Sequence, residues 1–454
     1  MNNPINDLGK TILFIDGAMG TQLQVKGIGN TLPEIWNIEN PSAILDVHNQ
    51  YAAAGCDILT ANTFGANRLK LSKTEYSPAQ VIRAGVDLAK KAASTHIGAS
   101  GKPAKVALDI GPTGRMLAPM GDLPFEEAVS VFAEMVQAGV AAGVDLILIE
   151  TMIDTYEIKA AMLAAKENSD LPFMVTFSPD ETGRILTGAD IQTVAALVES
   201  LGACAVGINC GTGPNLLKAA LAELRKHVQI PIIFSPNGGM PKVVDGETVF
   251  DLSPEEYASE MKESAMLGGS FLGGCCGTTP AHIECMIHAI REAGSSPAEA
   301  IAKPVKRVSS HRKTVIIGDD LDNSGLDIAV LIDNANASGI RQALLDNDIE
   351  YVCDEALAQL EDGADLLAVN VGLPGINPME MLPRVVMAIQ EITPTPLIIH
   401  TACAVAAEAA LRVYNGRPVL NTIDVKDEDM LEIAKLAEKY GAELVSIALG
   451  DVKD

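Results

Sequence analysis

Three cysteines carry the strongest chemistry in this 454-residue chain. Cys210 ends the segment Gly207-Ile-Asn-Cys210-Gly-Thr-Gly213, and Cys275 and Cys276 stand together in Gly273-Gly-Cys275-Cys276-Gly-Thr-Thr279. Each segment opens as an apolar run and closes in glycine-rich chain, the pattern of a strand passing into a loop. Neighbouring residues on a strand point to opposite faces. In a turn flanked by Gly273, Gly274 and Gly277 both thiols can face one point, because glycine takes conformations that other residues avoid. Three converging thiolates make a zinc site whose fourth position is open to a substrate. A free thiol titrates near pH 8.5, so little is thiolate at neutral pH. Binding to zinc removes the proton outright. Anionic sulfur ligands keep a bound substrate sulfur nucleophilic, so the site suits activation of a thiol for methylation rather than polarisation of a carbonyl.

Such a site needs strand ends that meet. Eight short apolar runs precede residue 292: Thr11–Asp16, Asp57–Asn62, Lys105–Ile110, Asp145–Glu150, Phe173–Phe177, Ala203–Asn209, Pro231–Ser235 and Ser270–Gly274. Between them lie stretches of helical spacing, such as Pro124–Ala142 and Pro254–Leu267, the latter led by Ser253 as N-cap with proline at N1. Alternation of strand and helix implies a parallel sheet. Eight repeats fit a closed (β/α)8 TIM barrel, whose active sites lie at the C-terminal strand ends. Cys210 falls at the end of the sixth run and the cysteine pair at the end of the eighth, close enough across the rim to meet.

Bulk properties narrow the partners. Hydrophobic residues make up 48% and charged residues 20%, ordinary for a globular chain of two or three domains. The formal charge of -26 disfavours nucleic acid and anionic membrane surfaces. Met1 to Lys10 is polar, and no run of about 18 apolar residues occurs, so the reading is a cytoplasmic protein without a membrane span. The eight cysteines do not form a secreted disulfide framework. The seven histidines form no ligand cluster; His282 and His288 are read as structural, and Cys204 as core.

At these residues the sequence resembles the homocysteine S-methyltransferase family, and within it the N-terminal part of cobalamin-dependent methionine synthases. Asp16-Gly-Ala-Met-Gly-Thr-Gln22, Thr60-Ala-Asn-Thr-Phe-Gly65, Asp109-Ile-Gly-Pro-Thr-Gly114, Glu150-Thr-Met152 and Pro236-Asn-Gly-Gly239 are similar to the family's loops, and Gly-Gly-Cys-Cys-Gly-Thr to its metal motif. The resemblance covers residues 10–292. It implies zinc on Cys210, Cys275 and Cys276. It also implies homocysteine held near the first, fourth and seventh loops. Glu150 would accept from the ammonium, and the amides of Gly17, Ala18, Met19, Gly20 and Thr21 would hold the carboxylate. Asp16 would orient that loop or the ammonium, and Thr63 and Asn237 would complete the contacts.

Residues 293–313 read as a linker that includes the basic run Lys303–Lys313. Apolar runs resume at Thr314–Ile317, Leu366–Val371, Pro396–His400, Pro418–Asn421 and Leu444–Leu449. Residues 314–454 resemble the start of the pterin-binding domain of methionine synthases, truncated and degenerate. Gly363-Ala-Asp-Leu-Leu-Ala-Val-Asn-Val-Gly-Leu-Pro-Gly375 follows the family pattern, and Asn370 and Asn421 match its pterin-facing asparagines. Gly318-Asp-Asp-Leu-Asp322, His400-Thr-Ala402 and Asn421-Thr-Ile-Asp424 depart from it. A missing partner to a buried ring costs about 1–3 kcal/mol, so folate binding is expected to be lost or weak. The expected donor is a methyl-corrinoid such as methylcobalamin, carried by a separate protein. The alternatives are a sulfonium or betaine donor, reverse demethylation of a methylated thiol, and a non-catalytic scaffold in a methyl-transfer complex.

Overall fold

The computed structural model describes residues 11–29, 31–244, 247–296, 305–318, 325–332, 336–361 and 363–447. Met1 to Lys10, part of the linker, Asp319–Asp322 and the last residues of the Leu444–Leu449 run lie outside them. The chain divides into two compact units, residues 1–187 with 203–302, and residues 188–202 with 303–454. The stretch Gly188–Gly202, expected within the first domain, groups with the second unit.

The first unit is built on eight parallel strands: β1 (Leu13–Phe14), β2 (Ile58–Thr60), β3 (Lys105–Ile110), β4 (Leu146–Met152), β5 (Phe173–Phe177), β6 (Ala205–Cys210), β7 (Ile232–Pro236) and β8 (Gly269–Leu272). Each pairs with its sequence neighbour, and β8 pairs with β1. The Ile15–Ile58 bridge and the bond from the Asp57 amide to the Phe14 carbonyl (2.7 Å) join β1 to β2, so the sheet closes. Inward side chains from every strand fill the centre: Ile15, Ile58, Ala107, Leu146, Leu148, Met174, Ala205, Ile233 and Phe271. This is the packed interior of a (β/α)8 barrel, solid rather than a pore. All eight runs read from the sequence fall on these strands.

The helices begin where local chemistry dictates. Ser253 accepts from the Glu256 amide at 3.2 Å in a capping box, with Pro254 opening the helix Pro254–Met266. Pro124 caps the helix Phe125–Ala142, which Gly143 ends in the left-handed conformation. No described helix is long and apolar enough to cross a membrane.

His48, in the helix Pro41–Ala53, is fully buried, and neither ring nitrogen has a hydrogen-bond partner. Burial pushes its pKa down from 6.5 to about 4. Between those values the unfolded chain binds a proton that the folded chain refuses, so stability falls as pH drops through this window. The expected loss is about 3 kcal/mol between pH 7 and pH 4. Chemical denaturation of the wild type and His48→Met across that range should show the wild type losing this much stability relative to the variant as pH falls. Parallel curves would contradict the assignment.

The second unit carries a five-stranded parallel sheet in sequential order: β9 (Ile328–Val330), β10 (Leu366–Val369), β11 (Leu397–His400), β12 (Val419–Asn421) and β13 (Glu443–Val445). Its first strand corrects the sequence reading. The run at Thr314 forms Thr314–Ile316, which pairs antiparallel with Arg307–Ser309 and is not part of the parallel sheet. The strand Arg307–Ser309 itself lies in the stretch read as a linker. Val308, Val315 and Ile317 from this hairpin pack with Leu366, Ala368, Ile398 and Val419 of the sheet in one apolar cluster.

Candidate active site

The site lies at the C-terminal ends of the barrel strands. Cys210 is the last residue of β6 and takes φ +61, a left-handed value uncommon outside glycine. The turn it begins continues through Gly211 at φ +70. The cysteine pair follows β8 and is held from both sides. Gly274 donates to the Asp16 carbonyl (3.1 Å), Cys275 to the Pro236 carbonyl (2.8 Å), and the Cys276 carbonyl accepts from Gly238 (2.8 Å). Thr278 Oγ1 donates to the Cys275 carbonyl (2.8 Å) and accepts from the Ala18 amide (3.1 Å). Gly277 makes the turn at φ +80, where an added Cβ would lie 2.1 Å from Phe250. The outcome is that the Sγ atoms of Cys210, Cys275 and Cys276 lie within 4.8 Å of one another.

Without a metal the three thiols behave as one acid. Cys210 accepts hydrogen bonds from Cys275 and Cys276 and is held down to about 3. The same bonds hold Cys275 far above the ordinary thiol value and Cys276 at about 12. One negative charge is thus shared by three sulfurs. A zinc–sulfur bond is about 2.3 Å, so tetrahedral ligands stand about 3.8 Å apart, and this all-sulfur set fits a zinc ion with one position free.

Beside the thiols opens a cavity of about 250 Å³. Asp16, Gly17, Ala18, Met19, Gly20 and Thr21 line it from β1, Glu150 and Thr151 from β4, and the three cysteines from β6 and β8. Asp16 Oδ2 accepts from the Thr60 amide and Oδ1 from the Thr60 hydroxyl, both at 2.9 Å. Gly20 and Thr21 open the short helix Gly20–Val25, whose first-turn amides have no partner within it. The Ala18 amide is already spent on Thr278, so it is withdrawn from the set expected to hold a carboxylate.

Thr63 and Asn237 are not among the lining residues. Thr63 Oγ1 donates to the Asp109 carbonyl (2.8 Å) and accepts from the Asp109 amide (3.0 Å), pinning the second loop to β3. Asn237 Nδ2 donates to the Gly211 carbonyl (2.9 Å) and its amide to Thr212 (3.0 Å), bracing the turn after Cys210; its Oδ1 is buried with no protein partner. His282 completes a capping box with Thr279 and meets the Leu252 carbonyl at 3.1 Å, a structural position.

The lining residues that the sequence did not single out include Glu34, Phe64, Asp109 and Thr176. Glu34 Oε1 accepts from the Gly65 amide at 2.6 Å. Phe64 is the one aromatic among the described lining residues; its ring leaves no room for a Cβ on Gly111, and Lys70 Nζ stands 5.1 Å from its centre. Carboxyl groups crowd the cavity. Burial, and then the charge of Glu150, push Asp16 up to about 8 against its bonds from Thr60. Burial and the Cys210 charge push Glu150 up to about 7, offset in part by a hydrogen bond with Asp109. Burial and the charge of Glu150 hold Asp109 well above the usual carboxylate range. Such a cavity favours a ligand that brings a positive charge.

The sequence profile of the homocysteine S-methyltransferase family matches residues 13–290. The chain belongs to this family. A second profile, for pterin binding enzymes, matches residues 332–453. Methionine synthase of Mycobacterium tuberculosis is 29% identical over 473 residues, covering 98% of this chain and 38% of that protein. The methionine synthase of Mycobacterium leprae is 27% identical over 474 residues, covering 98% and 39%. The chain therefore spans about two-fifths of the length of these relatives. Among solved structures, the homocysteine methyltransferase MmuM from Escherichia coli superposes in its apo form with a TM-score of 0.51 at 25% identity, covering 63% of this chain and all of that one (100%). Its metallated form gives a TM-score of 0.53 at 25% identity, covering 61% and 96%.

In this homocysteine S-methyltransferase family member, the pterin-binding match begins at Ile332, just after β9. The comparison drawn at Gly318–Asp322 therefore does not concern the loop after the first strand, which follows Val330. The two matched asparagines are already engaged. Asn421 is fully buried; its Oδ1 accepts from Ile423 (3.3 Å) and Ile447 (3.1 Å), and its Nδ2 donates to the Ile447 carbonyl (2.9 Å). Asn370 Oδ1 accepts from the Gly372 amide at 2.7 Å. At the end of β11, His400 Nε2 meets Asp424 Oδ2 at 2.8 Å.

Proposed function

We propose that this protein transfers a methyl group to the sulfur of homocysteine, giving methionine, at a zinc ion held by Cys210, Cys275 and Cys276. The convergence of these three thiols beside a carboxyl-lined cavity carries the reading. Bound zinc would supply a deprotonated substrate sulfur at neutral pH. The chain's own residues do the rest. Glu150 accepts from the substrate ammonium, and Asp16, fixed by Thr60, presents a second carboxyl to it. Gly20 and Thr21 offer amides to the substrate carboxylate at the start of a helix, where the dipole favours an anion. Leu148 and Ile233 form an apolar wall along the substrate's carbon chain.

The donor in this proposal is a methyl-corrinoid such as methylcobalamin, brought by a separate protein to the barrel mouth. A cationic sulfonium or betaine donor is recognised by several aromatic faces, whereas Phe64 stands alone here. Folate is not the proposed donor, since Asn421 spends its amide within its own unit and Asn370 Oδ1 is taken by the Gly372 amide. Zinc-loaded protein should produce methionine from homocysteine with methylcobalamin, and not with methylfolate or a methylsulfonium compound. Turnover with the sulfonium alone would move the donor assignment to the direct route. Absence of turnover with every donor, despite bound zinc, would favour a scaffold.

A further inference from the structure

Asn209 precedes Cys210 at the end of β6 and is 1% exposed. Every hydrogen-bonding position of its amide is in use. Oδ1 accepts from the Thr151 amide at 3.1 Å and from Thr176 Oγ1 at 2.9 Å. Nδ2 donates to Thr151 Oγ1 at 2.7 Å and reaches Cys275 Sγ at 3.9 Å. The orientation of the amide is not arbitrary. The Thr151 backbone N–H can only donate; its shorter branch goes to Oδ1 (3.1 Å) and its longer one to Thr176 Oγ1 (3.3 Å), and that places the N–H2 group toward Cys275. Thr151 itself stands at φ +59, one residue beyond Glu150. One side chain therefore ties the left-handed turn of β4, the strand β5 and a thiol of the cysteine loop.

We propose that Asn209 is a positioning residue that donates an N–H to the Cys275 sulfur and locks the Glu150–Thr151 turn to the metal site. This rests on the zinc reading above. Three protein thiolates and a substrate thiolate place more negative charge on the site than a dication cancels. A buried N–H aimed at one sulfur stabilises that charge and fixes the thiol's direction. The same amide sets where Glu150 meets the substrate ammonium relative to the reacting sulfur. Loss of the amide should therefore disturb both metal affinity and homocysteine binding.

Asn209→Asp is the informative variant, because it keeps shape while turning an N–H toward an oxygen that repels the thiolate. Zinc affinity, measured by competition with a chromogenic chelator, is expected to fall about 10–100-fold, as for other groups that support metal ligands. KM for homocysteine is expected to rise, and the thiolate-to-metal absorption of cobalt-substituted protein to shift. Asn209→Ala removes the donor without adding charge and should act in the same direction, so it decides if N209D does not fold. Thr176→Val removes its bond to Oδ1 and its longer contact with the Thr151 amide (3.3 Å) but leaves the N–H on the Cys275 sulfur, so zinc affinity and the cobalt spectrum should stay near those of the wild type. N209D or N209A that binds zinc as tightly as wild type, with an unshifted cobalt spectrum, would overturn the role of Asn209. Wild-type protein that takes up no zinc would instead overturn the metal reading on which it rests.

Discussion

Cys276→Ala is expected to weaken zinc binding by on the order of 10³-fold and to abolish methyl transfer. The magnitude follows from the donor set, because a structural zinc site draws roughly 10–16 kcal/mol from four ligand positions. Removing one of three protein sulfurs leaves two thiols and a vacancy that water fills poorly. Cys275→Ala and Cys210→Ala should behave alike, since all three thiols meet within 4.8 Å. Cys204→Ala serves as the contrast. Its thiol bonds the Phe173 carbonyl at 3.1 Å and packs, half-buried, against the barrel interior, so the variant should lose stability yet keep its zinc. Metal content after dialysis, read beside methionine formation, checks all four. A C276A protein that retained zinc and turnover would remove the metal assignment.

The second large effect is expected at Glu150. Glu150→Gln keeps the size and removes the charge proposed to meet the substrate ammonium. A hydrogen bond to a charged group contributes about 1.5–3 kcal/mol, so kcat/KM should fall roughly 10–100-fold, mostly through KM. Zinc affinity should change far less, which separates this variant from the cysteine series. The wild type should also carry a pH signature. Burial and the Cys210 charge raise Glu150 to about 7. Zinc cancels the Cys210 charge while the burial remains, so KM for homocysteine should rise as pH falls from neutral toward the ordinary carboxylate range. In the unliganded protein the sign for stability is the reverse. The folded state holds a proton that the unfolded chain releases near the ordinary value of 4.5, so this group lowers stability as pH rises between 4.5 and about 7. In E150Q both trends should lose this component. An unchanged pH profile of KM would place the ammonium contact elsewhere, with Asp16, Asp109 and Glu34 the remaining carboxyls in the cavity.

The barrel was legible because its strands are buried on both faces. Runs such as Leu-Ile-Leu-Ile in β4 are continuously apolar and end in polar or glycine-rich loops, and that pattern survives without knowledge of the fold. Cys210 and the cysteine pair were legible for the same reason, since each terminates such a run. In the second unit the same signal misled. Val315 and Ile316 read as a parallel strand, yet they pair antiparallel with Arg307–Ser309, a segment whose basic neighbours disguise it as a linker. The actual first strand, Ile328–Val330, follows Asp327 and is only half-buried, so its periodicity is weak.

Side-chain partners were the least legible feature. Thr63 and Asn237 sit in loops that resemble a substrate-binding family, but their hydrogen bonds go to the backbone of Asp109 and Gly211. Asn209 stood in full view within Gly-Ile-Asn-Cys, and nothing in that string says that its amide reaches residues from three other strand ends. Asp109 likewise reads as one residue of a loop motif until β3 brings it beside Glu150, where the two carboxyls share a hydrogen bond. Contacts between distant strands are set by closure of the barrel, which composition and spacing do not encode.

The central claim is that three cysteine sulfurs hold zinc and leave its fourth position to homocysteine. X-ray absorption at the zinc edge of the loaded protein tests it directly. The expected result is three sulfur neighbours at about 2.3 Å with one lighter atom, changing to four sulfurs on addition of homocysteine. A sulfur count below three, or one that homocysteine leaves unchanged, would contradict it.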